Sequence, residues 1–337
     1  MKLEDLGERG VIERITRKFR VDNQIVTAGA GEDDCAVIDI DRAKNGYRYL
    51  VVTTDSLQQS THFPPSITPF QMGWSAVAVN LSDIAAMGAH PFAFVIAMGI
   101  PPQTEAPLMD ELTTGIEACA STYHTAVVGG DITQSNELIL TGTCLGFANN
   151  PVRRSGAKEG DLLYVTGSLG NAALALKIIT NELKVPKRVE EIVKKALVQP
   201  QPRINEGIIL ANSGVATAMI DISDGLALSI AEIAKSSNVG AELYADSVPV
   251  LSEAIRDDKN LHLSKGERRE LAFYYGGDYE LLFTIDKSVL ENEKMLQGLK
   301  REVNMSIIGT IVPAEEGIYF KDGDKEEKTE LKGYQHF

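Results

Sequence analysis

The stretch VAVNLSDIAAMGAHPFAFVIAMGI (residues 77–100) joins a helical pattern to a strand pattern. Apolar residues recur at helical spacing between Thr68 and Met87, and Gly88 is suited to the left-handed backbone that ends many helices. The apolar run at 91–100 then predicts a buried strand. A helix that leads directly into a buried strand is typical of an α/β or α+β domain.

The same alternation extends outward from this stretch in both directions. Further strands and helices fill the first half, and turn-forming, charged residues interrupt the pattern at 150–161. The second half opens with a strand, a glycine turn and a helix at 162–179, and its other strands are predicted at 216–220, 240–248, 279–285, 306–312 and 317–320. The charged stretch 321–330 is predicted to be a solvated turn. We therefore expect an α/β (α+β) protein with two domains, residues 1–150 and 151–337.

Composition excludes several classes of function. The chain has 337 residues, of which 44% are hydrophobic, and it carries a formal net charge of −14. This acidity, without a basic cluster, argues against nucleic-acid binding. No run approaches the roughly 20 apolar residues of a membrane helix, and the three cysteines have neither disulfide nor zinc spacing. The sequence predicts a cytoplasmic protein that does not act at a membrane.

Aspartates occur where several apolar strands end, which is where such folds place their chemistry. Another lies within the apolar helix, three residues after Asn80 and therefore on the same face. If the carboxylates converge, they repel by about 4 kcal/mol per pair unless cations neutralise them, and all-oxygen ligands favour Mg²⁺, Mn²⁺ or Ca²⁺. The candidates are Asp34, Asp55, Asp83, Asp131, Asp221 and Asp224.

The sequence lacks the usual cationic devices for binding a nucleotide. It has no G-x-x-x-x-G-K-[ST] motif and no H-R-D or D-F-G motif of protein kinases. The glycine turn GSLGNA (167–172) either holds a phosphate at a helix start or is simply a tight strand-to-helix turn. Several Mg²⁺ ions held by aspartates would let an acidic protein bind ATP without a P-loop.

Eight motifs, in this order, resemble those of the thiamine-monophosphate kinases. They span residue 31 to the end of the sequence, and the ordered set is far more specific than any one member. The motifs are GEDDCAVI (31–38), VVTTDSLQQSTHF (51–63), VNLSDIAAMGAHP (79–91), VVGGDITQS (127–135), RRSGAKEGDLLYVTGSLGNAAL (153–174), IDISDGLALSI (220–230), GGDYELLFT (276–284) and KGYQHF (332–337).

The resemblance implies a two-domain fold like that of aminoimidazole ribonucleotide synthetase. An N-terminal mixed sheet with helices would bind ATP and Mg²⁺ and form a homodimer, and a C-terminal α/β domain would complete the active site. The reaction implied is in-line transfer of the γ-phosphoryl group of ATP to thiamine monophosphate. The acceptor phosphate is already largely ionised because its second pKa is about 6, so no general base is required.

The resemblance also assigns roles to individual residues. Metal sites would involve Asp34, Thr53, Thr54, Asp55, Asp83, Asp131, Asp221 and Asp224. ATP would contact Gly130, Asp131, Arg154 and Ser223, and thiamine monophosphate would contact His62 and Tyr334. The residues expected to carry catalysis are Asp131, Asp221, Asp224 and Arg154.

Two positions depart from the family pattern. Glu32 stands where the family usually has glycine, and GGDYEL replaces GGEDYEL, which puts Gly277 in the place of a glutamate that contacts substrate in the family. Two alternatives therefore stay open beside the kinase. One is another ATP-dependent enzyme of the same superfamily with a different phosphate-bearing substrate. The other is a non-catalytic sensor of nucleotide or thiamine phosphate.

Overall fold

A computed structural model describes residues 14–20, 24–28, 37–38, 40–43, 45–322, 325–330 and 332–334. These residues form two compact units that meet in the chain between Asn149 and Asn150, and the short stretch Ala85–Gly88 belongs to the second unit. The functional roles expected for residues 1–150 and 151–337 stay predictions.

The first unit is built on a four-stranded sheet with helices. Its strands are β1 (Val26–Ala28), β2 (Val37–Ile38), β3 (Tyr49–Gln58), β4 (His90–Ile100), β5 (Ala126–Gln134) and β6 (Ile139–Ala148), and its helices are α1 (Ile40–Ala43), α2 (Gln59–His62), α3 (Pro69–Ala86) and α4 (Ala106–Thr122). The order in the sheet is β3-β6-β4-β5, with β4 and β5 parallel and the other pairs antiparallel. The predicted mixed sheet is therefore confirmed, and β1 and β2 form a separate pair.

The predicted helix and buried strand of residues 68–100 are both present. Trp74, Val77 and Leu81 of α3 are buried, as is Phe94 of β4. Gly88 has φ +63° and ends α3 by donating its N–H to the carbonyl oxygen of Ala85 at 2.9 Å, as the sequence predicts. Period-2 burial along β3 leaves one face of the strand partly buried, with Leu57 buried, and the other face exposed.

The second unit is built on a seven-stranded sheet in the order β13-β12-β9-β11-β7-β10-β8. Its strands are β7 (Leu162–Thr166), β8 (Ala216–Ile222), β9 (Gly240–Tyr244), β10 (Glu280–Ile285), β11 (Met305–Val312), β12 (Ile318–Asp322) and β13 (Lys325–Lys328). Its helices are α5 (Asn171–Ile179), α6 (Lys187–Val198), α7 (Ile204–Ser213), α8 (Leu226–Ser237), α9 (Glu253–Arg256), α10 (Lys265–Tyr274) and α11 (Glu293–Glu302), with short 3₁₀ turns at Ala245–Ser247, Lys287–Glu291 and Ala314–Glu316.

Two apolar clusters fill the second unit. One joins β7, β8, β9, β10 and β11 to α8 and α10, with Ile230 of α8 and Phe273 of α10 buried against the sheet. The other packs α5, α6, α9 and α10 together through residues such as Leu174 and Val193. This packing fixes the end of β8 and the start of α8. The IDISDG motif (220–225) forms the end of that strand and the loop that follows it.

One expected turn is wrong. The charged stretch 321–330 contributes to a hairpin, because β12 pairs with β13 antiparallel and with β9 parallel at the edge of the sheet. Charged side chains suit an edge strand because they oppose further strand pairing. Within the described ranges, no helix is both long enough and apolar enough to cross a bilayer.

Candidate active site

The candidate residues are divided between the two units. Asp34 and the Glu32 departure lie outside the described residues. The first unit holds Thr53, Thr54, Asp55, His62, Asp83, Gly130 and Asp131, and the second holds Arg154, Asp221, Ser223, Asp224, Gly277 and Tyr334.

In the first unit, β3 and α3 bring three polar side chains together. The Thr53 hydroxyl donates a hydrogen bond to Oδ2 of Asp83, and the backbone N–H of Asp55 donates to Oδ1 of Asn80 at 3.1 Å. Asn80 is fully buried and also donates to the carbonyl oxygen of Ala76 at 3.0 Å. Asn80 and Asp83, three residues apart on one helical face, therefore fix α3 against the strand that carries Thr53 and Asp55.

Gly142 makes this arrangement sterically feasible. A Cβ at Gly142 would overlap Asn80 Nδ2 and the ring of Phe94, so only glycine leaves room for the buried amide. Sequence reasoning placed Asn80 on the face of Asp83 but gave no function to Asn80 or Gly142. The spacing on α3 was the available signal for Asn80. Gly142 becomes recognisable only when its strand lies under α3.

Thr54 does not join this group through its side chain. Neighbouring residues of a strand point to opposite faces, and the Thr54 hydroxyl donates to the carbonyl oxygen of Gly142 at 2.7 Å. Thr143 in turn donates to the Thr54 oxygen at 3.1 Å. Thr53 and Asp55 therefore lie on one face of the sheet, and the Thr54 side chain lies on the other face.

Asp131 lies at the opposite edge of the sheet from Asp55. Three strand spacings separate β3 from β5, which amounts to about 14 Å. In the register, Gly130 pairs with Ile96 and Asp131 with Ala97, and a Cβ at Gly130 would overlap the Ile96 carbonyl oxygen. The first unit thus presents Asp131 on an exposed strand edge, apart from the Thr53–Asp83 pair.

His62 ends a single helical turn that Glu137 holds in place. The carboxylate of Glu137 accepts hydrogen bonds from the Gln58 side chain and from the Ser60 N–H, the latter at 2.8 Å. These bonds lower the pKa of Glu137. The Gln58 N–H donates to Nδ1 of His62 at 3.1 Å, and Thr61 Oγ1 lies 2.7 Å from the same nitrogen. In the neutral ring this places the proton on Nε2.

Buried thiols adjoin the first group without supplying a nucleophile. Cys144 pairs with Thr53 in the register of β6 and β3. Burial raises the pKa of Cys144 to about 12, and the nearby Asp83 charge acts in the same direction. Burial also raises the pKa of Cys119 well above its ordinary value. Both thiols therefore stay protonated at neutral pH, so thiolate chemistry at these two positions is excluded.

In the second unit, the IDISDG motif forms the end of β8 and the loop into α8. Asp221 is buried and its carbonyl oxygen accepts the Ser229 hydroxyl at 3.0 Å, whereas Asp224 lies exposed in the loop. Gly225 has φ +108°, and a Cβ there would press on the carbonyl oxygens of Phe273 and Tyr275. Glycine is thus required for the loop to enter α8 directly beneath the end of α10.

The GGDYEL motif lies beside this loop through its backbone. Gly277 N–H donates to the Ser223 carbonyl oxygen at 2.8 Å, and Tyr279 N–H donates to that of Ile222 at 3.0 Å. Gly277 has φ +93°, which an L side chain adopts only with strain. The residue in the place of the family glutamate is therefore a structural glycine at a shortened turn.

The GSLGNA turn is already occupied by a carboxylate. Gly170 and Ala172 donate their N–H groups to Asp278 at 2.6 and 3.2 Å, at the start of α5. Burial raises the pKa of Asp278 to about 7, the N–H groups act in the opposite direction, and the charge of Glu280 adds to the increase. Of the two readings that the sequence left open, this arrangement favours the tight strand-to-helix turn.

Arg154 is held on the surface of α8 by a weak pair. Its Nη1 lies 3.9 Å from Glu232 Oε2, and both side chains are about half exposed. An exposed ion pair of this length contributes little, so releasing Arg154 toward a phosphate costs little.

The donor set fits Mg²⁺ chemically, because aspartate and hydroxyl oxygens are the hard ligands that this ion prefers. Among the residues that the structure describes, no group of three or more His, Cys, Asp or Glu side chains is arranged to hold a metal. The assignment of these residues to metal sites stays a prediction.

Comparisons with known proteins identify the family. Residues 32–148 match the family described as AIR synthase related protein, N-terminal domain, and residues 158–321 match its C-terminal domain. The thiamine-monophosphate kinase of Methanospirillum hungatei JF-1 is 41% identical over 262 residues, which cover 77% of this chain and 82% of that protein.

Two solved structures agree with this assignment. The crystal structure of thiamine-monophosphate kinase from Stenotrophomonas maltophilia K279a has a TM-score of 0.79 and 32% identity, and the match covers 94% of this chain and 97% of that one. A structure described as AaThiL complexed with AMPPCP and TMP has a TM-score of 0.75 and 28% identity, with 100% and 99% covered. The chain therefore belongs to the thiamine-monophosphate kinase family, a family of enzymes with the two-domain AIR synthase-related fold that its motifs predict.

Proposed function

We propose that this chain transfers the γ-phosphoryl group of ATP directly to the phosphate of thiamine monophosphate, giving thiamine diphosphate and ADP. The observation that carries the proposal is family membership along nearly the whole chain, with the eight ordered motifs intact apart from the two departures. A relative of the same fold is described with both AMPPCP and TMP bound.

The chemistry of the described residues is consistent with direct transfer. The acceptor is a phosphate oxygen that is largely ionised at neutral pH, so the reaction needs charge neutralisation and alignment more than a base. The buried thiols of Cys119 and Cys144 are protonated and cannot form a covalent intermediate there. We infer that the alignment of the two substrates depends on cations held by the carboxylates, since carboxylates alone would repel the phosphates.

Mg²⁺ would neutralise the phosphate oxygens when bound. Several ions are proposed, one group of ligands being Asp83, oriented by Thr53, with Asp55 on the same strand face, and another ligand being Asp131 on the edge of β5. In the second unit Asp221 and Asp224 would be ligands from either end of the IDISDG motif. Asp34 and Thr54 complete the proposed set, although the Thr54 side chain bonds to the Gly142 carbonyl oxygen.

Nucleotide and acceptor would be held by further groups. Gly130, Ser223 and Arg154 are proposed to contact ATP, with Arg154 leaving its weak pair with Glu232. His62, with its proton on Nε2, would donate a hydrogen bond to the acceptor phosphate. Tyr334, whose side chain is 42% exposed, would lie against the flat thiamine rings.

The protein is also proposed to be a cytoplasmic homodimer that binds no nucleic acid. The exposed face of β3 carries Leu50 and Val52, which are 48% and 60% exposed. Apolar side chains on an exposed edge strand favour pairing with another sheet. A second copy of the same sheet is the simplest partner, since most oligomers are symmetric.

The direct test is to incubate purified protein with ATP, Mg²⁺ and thiamine monophosphate and to separate the products by chromatography. We expect equimolar thiamine diphosphate and ADP, with none in EDTA. Asp131→Asn is expected to lower the rate by at least a hundredfold without loss of fold, whereas Glu111→Gln, on the exposed side of α4, serves as the charge-matched control. A near-normal rate for Asp131→Asn contradicts the proposed role of that carboxylate.

The two alternatives predict other outcomes of the same experiment. A sensor binds Mg-ATP or thiamine monophosphate without turnover. Another enzyme of the superfamily binds Mg-ATP but forms ADP only with a different phosphate-bearing compound. The second outcome would connect the shortened GGDYEL turn at Gly277 with a change of acceptor.

A further inference from the structure

The segment Lys332–Tyr334 lies against the Asp224 loop in a way that the family motifs do not explain. Tyr334 N–H donates a hydrogen bond to the carbonyl oxygen of Asp224 at 3.0 Å. A Cβ at Gly333 would overlap both that oxygen and the end of the Leu228 side chain. Gly333 is thus the residue that allows the segment to approach the loop closely enough for the hydrogen bond.

The opposite side of the same loop is held by the GGDYEL turn. Gly277 N–H donates to the Ser223 carbonyl oxygen at 2.8 Å, and a Cβ at Gly276 would overlap that oxygen. Two glycine segments from distant parts of the chain therefore bind consecutive carbonyl groups of Ser223 and Asp224. Because the loop itself is only three residues long, these bonds restrict where the Asp224 side chain can point.

Tyr334 takes part through two different groups. Its backbone N–H binds the Asp224 carbonyl, and its half-exposed side chain is the proposed contact for the acceptor rings. Both groups are attached to one Cα, so the docked position of the backbone limits where the side chain can reach. The acceptor contact and the proposed metal and nucleotide loop are thus mechanically linked within the second unit.

We propose that Gly333 is a positioning residue that couples acceptor binding to Mg-ATP binding by docking the Tyr334 N–H on the Asp224 carbonyl. The identity of the two ligands rests on the proposed function. Binding of the acceptor at Tyr334 then stabilises the loop that holds Mg-ATP, and the reverse holds by reciprocity.

Three variants separate the backbone bond from the side chain. Tyr334→Ala removes the side chain and keeps the N–H, whereas Tyr334→Pro removes both. Gly333→Ala keeps the tyrosine and displaces the segment. Gly298→Ala is the matched control, because a Cβ at Gly298 on α11 meets no other atom within 4 Å.

Binding of Mg-ATP and of thiamine monophosphate is measured by calorimetry for the wild type and each variant, first for each ligand alone and then, with a non-hydrolysable ATP analogue, for each ligand in the presence of the other, which gives the coupling. We expect Tyr334→Ala to weaken the acceptor alone. Gly333→Ala and Tyr334→Pro should weaken both ligands, with Mg-ATP about tenfold weaker, the effect of losing one hydrogen bond. Mg-ATP affinity that is unchanged in Gly333→Ala and Tyr334→Pro, or equally reduced in Tyr334→Ala, overturns the proposal.

Amide hydrogen exchange of the unliganded protein gives a readout that needs no ligand. Gly333→Ala should speed exchange at the Tyr334 N–H and at the Gly277 N–H on the far side of the loop, and Gly298→Ala should not. Unchanged protection at Gly277 in Gly333→Ala overturns the coupling, even if the protein proves to act on another substrate. Absence of ligand binding or turnover in the wild type, by contrast, counts against the proposed function alone.

A double variant distinguishes loss of backbone docking from a general packing defect. Leu228→Ala with Gly333→Ala removes the side-chain overlap but leaves the overlap with the Asp224 oxygen. We expect the double variant to retain the Mg-ATP defect. Recovery of wild-type affinity would mean that crowding at Leu228, rather than backbone docking, causes the effect.

Discussion

At the scale of single residues, the Thr53 hydroxyl orients the Asp83 carboxylate from the neighbouring strand. A carboxylate that accepts a hydrogen bond from a fixed hydroxyl loses rotational freedom, which favours binding of a cation in one geometry. The pair lies on the core-facing side of β3, under a helix that Asn80 fixes in place. This arrangement explains why two residue types that are common on protein surfaces have a specific position here.

Thr53→Val tests that pair, because valine has nearly the same shape and lacks the hydroxyl. We expect the Mg²⁺ concentration for half-maximal rate to rise about tenfold, as the loss of one charge-assisted hydrogen bond would cause. Initial rates measured across a Mg²⁺ titration give this value. Thr122→Val, on the exposed end of α4, is the control, and a Mg²⁺ profile identical to that of the wild type argues against the role of Thr53.

Asp278 is expected to make stability depend on pH. Burial raises its pKa from 3.8 in the unfolded chain to about 7 in the folded protein. The folded state therefore binds more protons between these values, so the free energy of unfolding falls as pH rises from about 4 to about 7 and is level above that range.

Asp278→Asn removes this titration. Chemical denaturation at several pH values should give a smaller decrease in the free energy of unfolding for the variant than for the wild type between pH 4 and 7. Equal slopes for the two proteins would show that Asp278 is ionised throughout the range, held so by the N–H groups of Gly170 and Ala172.

At the scale of elements, apolar periodicity and the residues that end helices and strands predict most of the secondary structure. They do not predict which backbone segments contact each other. The helix that leads into β4 can be predicted from the sequence, because its apolar residues have helical spacing and Gly88 is suited to end it. The hairpin of β12 and β13 cannot, since its charged residues resemble a turn and only the edge of the sheet makes them a strand. Gly142 and Gly333 carry no local signal, because their roles depend on atoms far away in sequence.

The candidate site follows the same division. Aspartates that follow apolar runs are visible as a pattern, but the expectation that the strands end there is wrong, because Asp55, Asp131 and Asp221 lie within β3, β5 and β8. The separation of Asp131 from Asp55 depends on strand order, which local patterns do not give. Glu137, which holds the turn that carries His62, was missed for a related reason. Its partners are more than 70 residues away, and a glutamate in a loop has no distinguishing sequence neighbours.

An ion pair with a buried carboxylate and a partly exposed guanidinium connects β10 to the start of α7. Arg203 donates to both carboxylate oxygens of Glu280 at 2.7 and 2.6 Å, and Thr166 donates to the same carboxylate at 2.6 Å. The Glu280 side chain is only 5% exposed. Removal of the guanidinium would leave a buried charge with a single hydroxyl partner, which is costly.

We therefore expect Arg203→Ala to lower the free energy of unfolding by about 3 kcal/mol. Arg203→Lys should recover only part of the loss, since an ammonium cannot donate in the two-pronged geometry. Lys187→Ala breaks an exposed pair on α6 and should cost about 0.5 kcal/mol or less. Urea denaturation measures all three, and equal losses for Arg203→Ala and Lys187→Ala would contradict the argument.

At the scale of the whole molecule, the proposed site residues are shared between two compact units. The first supplies the Thr53–Asp83 pair, Asp55, His62 and Asp131, and the second supplies the Asp221–Asp224 loop and Tyr334. Neither unit alone contains both proposed substrate contacts. Activity should therefore require the full chain.

The exposed face of the first sheet is expected to form an interface between two copies of the chain. Val52 and Leu50 lie on edge strand β3 with about half of each side chain exposed. Transfer of such apolar surface from water into an interface is favourable by about 25 cal/mol per Å². Val52→Glu would place a charge there, and two copies related by symmetry would bring two such charges into the interface.

We expect the wild type to have twice the mass of one chain by light scattering after gel filtration, and Val52→Glu to have the mass of one chain. Leu176→Glu is the matched control, because Leu176 on α5 in the second unit is 40% exposed and should tolerate the charge without change of mass. A Val52→Glu protein that keeps the mass of two chains would move the interface away from this face. A wild type that is monomeric would mean that Leu50 and Val52 are exposed for another partner.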